Sequence, residues 1–145
     1  MLGEGGTPLS KLMTAIREFQ AREDRQVDIK ELRSGIDALE SEFCASARDA
    51  QKAGEHLVSG NITAASWIGR TCDMSVTSAA DRLCVGEQLE SLPKVAAALR
   101  SGEIGYQLVS ALCHLRKQLG EKRDLFDEDE MLDLARRHTV FNLRR

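Results

Sequence analysis

Apolar residues in this chain recur at intervals of three and four, the spacing that places side chains on one face of an α-helix, and the series break at glycine, proline or short polar clusters. The plainest stretch is Leu89 to Leu112, LESLPKVAAALRSGEIGYQLVSAL. Pro93 suits a first helical turn, where a missing N–H costs nothing and a fixed φ helps. Val95, Ala98 and Leu99 follow at helical spacing, and the helix is predicted to stop near Arg100 to Ser101 because Gly102 supplies the backbone freedom of a C-terminal cap. A second series, Ile104, Leu108, Leu112, Leu115 and Leu119, begins at once. Two helices meeting at a glycine corner are expected.

Upstream, residues 1–7 carry three glycines and little to bury, and read as a frayed end. Pro8 opens a first helix, with Leu9, Leu12, Ile16 and Phe19 on one stripe, closed by the polar AREDRQ. Val27 to His56 is the longest periodic run. Ile29, Leu32, Ile36, Leu39 and Phe43 alternate spacings of three and four, a heptad seam of about two repeats. Two readings stay open: the seam pairs with another chain, or the helix lies on its own domain. Gly54, or more strongly Gly60 with Asn61, ends it.

Ile62 to Cys72 reads as a short helix, Asp73 to Ser75 as a turn, and the helix after it, capped by Ser75 or Thr77, carries Val76, Ala79, Ala80, Leu83 and Leu89. Two helices about a three-residue turn have the outline of a helix-turn-helix. A recognition helix needs basic and polar side chains toward bases and phosphates. Here Ser75, Thr77, Ser78, Arg82 and Gln88 are opposed by Asp81, Glu87 and Glu90, so a plain helical hairpin is the better reading. Beyond Gly120 the cluster Asp127 to Glu130 reads as an acidic helix start. The last helix runs from Met131 to His138, and Thr139 caps a further turn with Val140, Phe141 and Leu143. Ending on Arg144 and Arg145 after an apolar series, the chain reads as truncated at its C-terminus.

Composition agrees with helix: 145 residues, 42% hydrophobic but only 4% aromatic, with two prolines. The expected fold is all-α, a compact multi-helix domain with a long N-terminal amphipathic helix and helical hairpins. It is organised as a flexible 1–7, N-terminal helices over 8–60 and a helical core over 61–145. A net charge of -3 excludes bulk coating of nucleic acid. Neither a membrane-length apolar run nor a secretory leader stands out, so the expectation is cytoplasmic. Cys44, Cys72, Cys84 and Cys113 form no C-x-x-C pair and are expected to pack as reduced thiols. No phosphate loop, nucleophile elbow or zinc helix motif is present, and adjacent Cys113 and His114 point to different sides of a helix. No cofactor, metal or catalytic residue is expected.

Trp67-Ile68, Ala79-Ala80, LESLPKVAAALRSGEI and LDLARRHTVFNL together resemble the helical domain of unknown function 222, the thirteen-E-twelve repeat family, over about Ala45 to Leu143. The resemblance implies a domain that usually precedes an HNH endonuclease module. His56, His114 and His138 lack the flanking cysteine pairs and ββα context of that module. What it implies here is therefore a non-catalytic accessory domain, positioning its nuclease on DNA. The first candidates for DNA contact are Arg136, Arg137, Arg144 and Arg145, then Arg70 and Arg82. The alternatives are a homodimer through Ile29, Leu32, Ile36, Leu39 and Phe43, and a helix-turn-helix regulator.

Overall fold

The computed structural model describes residues 6–137. Expectations for most of the N-terminal glycine stretch, and for His138, Thr139, Val140, Phe141, Leu143, Arg144 and Arg145, lie outside the described residues. Within them the chain is all-α: α1 (Pro8–Gln20), α2 (Ile29–Ala53), α3 (Glu55–Val58), α4 (Ala64–Thr71), α5 (Val76–Leu89), α6 (Pro93–Arg100), α7 (Tyr106–Leu119), a 3-10 segment (Gly120–Leu125) and α8 (Glu128–Arg137).

Local chemistry starts the helices. The side chains of Thr7, Asp28, Thr63, Ser75 and Asp127 each accept a backbone N–H from the first turn of the helix they precede, satisfying donors with no intrahelical partner. α6 begins at Pro93 after Leu92, which offers no such oxygen. Glu128 supplies it from α8, its Oε2 accepting Lys94 N at 2.8 Å and Val95 N at 2.9 Å, while Lys94 Nζ reaches Asp129 at 2.7 Å. The acidic cluster thus caps two helices, its own and a distant one.

α5 is the central helix, packed against α2, α4, α6 and α7. One core joins Cys44 to Val85, Leu92, Val95, Leu99, Ile104, Val109, Leu112, Cys113 and Leu132. A second joins Ala47 to Ala64, Ile68, Ala79 and Leu83. Both draw on α2. Where α2 crosses α5 the backbones nearly touch: a Cβ on Gly86 would lie 2.5 Å from the Cys44 carbonyl oxygen. At the corner between α6 and α7, Gly102 has φ of +79° and faces Ser34, whose Oγ donates to the Gly102 carbonyl at 3.2 Å.

Several details differ from the sequence expectation. α2 ends at Gly54, in the left-handed conformation, and α3 intervenes before Gly60. Ile104 is a buried loop residue, and α7 starts at Tyr106. Its core face is Tyr106, Val109, Leu112 and Cys113, with Leu115 exposed, because a leucine series one helical step away from the core satisfies the same periodicity. α8 begins three residues before Met131. Cys44, Cys84 and Cys113 are buried, whereas Cys72 is exposed at the C-cap of α4. The helix-turn-helix outline is formed by α4 and α5, but α5 is enclosed by its neighbours and does not protrude as a recognition helix must.

Candidate functional site

At 3.6 residues per turn, α2 has two distinct faces roughly a third of a turn apart. Asp37, Ser41, Cys44 and Ala47 are buried against the body. The heptad residues lie on the other: Ile29 is 73% exposed, Leu32 37%, Ile36 42% and Leu39 41%. Only Phe43, at the end of the series, is half-buried against the second core. The stripe is therefore anchored in the domain at one end and runs out into solvent. α1 adds more of the same surface. None of its residues is buried, Leu9, Met13 and Phe19 are exposed, Leu12 and Ile16 are half-buried, and it adds no side chain to either core.

The described arginines singled out for DNA sit on three helices, Arg70 on α4, Arg82 on α5 and Arg136 with Arg137 on α8. Arg82 is bidentate to Glu40, with contacts at 2.6 and 3.3 Å, and stacks on the Tyr106 ring at 4.7 Å. Its charge is paired within the fold. Arg136 pairs with Glu103 at 2.8 Å and Arg137 with Asp133 at 2.9 Å. Both are still exposed on α8, while Arg70 is exposed on α4, a helix that packs against α5. Arg144 and Arg145 are outside the described residues.

A polar cluster between α5 and α7 has more geometry. The Asp81 carboxylate accepts Tyr106 OH at 2.6 Å and Ser110 Oγ at 2.7 Å, and meets His114 Nε2 at 2.7 Å. Burial pushes the Asp81 carboxyl up, but these hydrogen bonds outweigh it and hold the group below the usual carboxylate range. Burial and the Asp81 contact push the Tyr106 phenol up. His114 Nδ1 faces Cys84 Sγ at 3.9 Å, so Cys84, His114 and Asp81 have the outline of a nucleophile, base and orienting acid. The chemistry does not follow the outline. Cys84 is 5% exposed and burial pushes its thiol up, away from the thiolate a nucleophile requires. Cys44 is pushed up to about 12 by burial as well. The cluster works as a clamp joining α5 to α7 and, through Arg82 and Glu40, to α2. Its sequence signal was Tyr106, Ser110 and His114 at four-residue steps along α7.

Among the described residues no helix is long and apolar enough to cross a membrane. Neither the curated proteins nor the solved structures contain a match to the chain. Residues 21–144 match the family described as "Domain of unknown function (DUF222)". The match spans every helix from α2 to α8, including the glycine corner at Gly102 and the central helix α5. This chain belongs to that family.

Proposed function

We propose that this chain is an assembly domain that joins two copies of itself through the outward face of α2, and that it is the non-catalytic accessory part of an HNH endonuclease-like protein. The observation that carries the first half is the exposure of Ile29, Leu32, Ile36 and Leu39 on a helix whose other face is already packed. Contiguous apolar surface of several hundred Å² on a soluble domain marks an interaction site. A heptad seam is self-complementary, and a two-fold pair buries the same patch on both chains. The resemblance of the LP…AL.SGEI string supports the second half. Four unpaired cysteines fit a reducing compartment, and we place the protein in the cytoplasm.

Light scattering across a concentration series tests the assembly reading. The expected result is a dimer for the intact chain and a monomer for Ile36→Asp with Leu39→Asp. A monomer at every concentration for the unaltered chain overturns it. DNA contact through Arg70, Arg136 and Arg137 is the weaker reading, since two of the three are engaged by carboxylates. Affinity for duplex DNA that falls steeply with salt would favour it.

A further inference from the structure

The occupant of the α2 stripe follows from the helix that precedes it. We propose that α1 is an exchanged arm: in the dimer, each α1 lays its apolar stripe on the exposed stripe of the partner's α2, closing a four-helix head outside the two bodies. This inference rests on the homodimer reading above and specifies how that dimer is built.

Three observations carry it. First, α1 ends in a built elbow and adds no side chain to either core. Arg22 donates to the carbonyls of Phe19 at 2.7 Å and Arg25 at 3.2 Å, Arg25 donates to the Gln20 carbonyl at 2.8 Å, and the Arg22 guanidinium lies 3.9 Å above the Phe19 ring. These contacts fix the turn after α1 while Leu9, Met13 and Phe19 stay exposed and Leu12 and Ile16 only half-buried. Second, the lengths match. At 1.5 Å per residue, the thirteen residues of α1 span about 20 Å, and Ile29 to Phe43 span about 21 Å.

Third, the charges are complementary. α1 carries Lys11 and Arg17 against Glu18, a basic excess, whereas in residues 28–43, with Asp37 paired to Arg33 and Glu40 to Arg82, Asp28, Glu31 and Glu42 remain against Lys30. Two acidic α2 segments side by side would repel, and a basic α1 between them relieves that repulsion. Gly35 agrees with a close neighbour. It sits inside α2 beside the stripe with nothing within 4 Å of an added Cβ, so no contact in its own chain accounts for a residue that weakens a helix.

The test uses full-length chains, because neither α1 nor the exposed α2 stripe places a side chain in either core. Leu12→Asp with Ile16→Asp alters α1 alone, and Ile36→Asp with Leu39→Asp alters α2 alone. Circular dichroism and thermal unfolding confirm that each keeps the helical body. The expected result is that each variant dissociates with a constant about 100-fold or more weaker than the unaltered chain. When the two variants are mixed, they associate with each other, since one intact α1 then meets one intact α2. If the unaltered chain is dimeric and the α1 variant dimerises equally well, the arm is overturned and the homodimer stands. Two monomeric variants that fail to associate on mixing also overturn the exchange. If the unaltered chain is monomeric, the homodimer reading itself fails.

Discussion

The two faces of α2 use side chains of opposite size. Toward the body it presents Asp37, Ser41, Cys44 and Ala47, and away from it Ile29, Leu32, Ile36 and Leu39. Distance explains the inner choice. With 2.5 Å between the Cys44 carbonyl and a Cβ on Gly86, and 2.9 Å to the Arg48 Cβ, this crossing has no room for leucine-sized groups. The body instead takes its larger apolar volume from α6, α7 and α8, through Val95, Leu99, Val109, Leu112 and Leu132. The difference teaches that a heptad series reports which residues need apolar company, and does not say which chain supplies it.

The comparison breaks most sharply at Gly86. Helix propensity alone makes Gly86→Ala a gain of about 1 kcal/mol. The close crossing makes it a loss of about 3 kcal/mol, because neither the Cys44 backbone nor the Arg48 Cβ lies at the flexible end of a side chain. Urea unfolding of the two proteins decides, and any stabilisation would mean that α2 and α5 stand farther apart.

Asp81 tests the polar side of the same packing. Asp81→Asn weakens the contacts to Tyr106, Ser110 and His114 and removes the charge beside Arg82, with an expected loss of about 2 kcal/mol at neutral pH. Because the folded carboxyl titrates below its unfolded value, its stabilisation is complete above the ordinary carboxylate range near 4 and is lost as pH falls through the lowered folded value. The gap between the two proteins should therefore narrow on acidification below about pH 4. A gap that widens there contradicts the clamp.

The outward face gives the smallest effect on the fold. Ile36→Asp should change the stability of the monomeric body by no more than about 0.5 kcal/mol, as for surface positions that support no core. A loss of several kcal/mol in thermal unfolding at high dilution would mean that this face is covered by its own chain.

Much of the local architecture was legible in the residues. Pro8 and Ser75 marked helix starts, Pro93 and Gly102 bracketed α6, and the acidic run before Met131 marked α8. The candidate site was legible as a list of five residues, Ile29 to Phe43, but not as a surface, since its exposure depends on where α5 sits. Arg82 shows the converse. A basic residue on an exposed-looking helix face was drawn inward by Glu40 and Tyr106, partners on α2 and α7.

The order of letters by itself determined that this chain is helical, where most helices begin and end, and which positions are apolar, because periodicity, caps and breakers act within about one turn of backbone. Tertiary structure alone decided that α2 turns its small side toward the body, that Glu128 caps α6, and that Asp81 joins three side chains of α7. Those outcomes depend on the distances between helices far apart in sequence, and a gap too narrow for leucine at the α2–α5 crossing left the larger side chains facing outward.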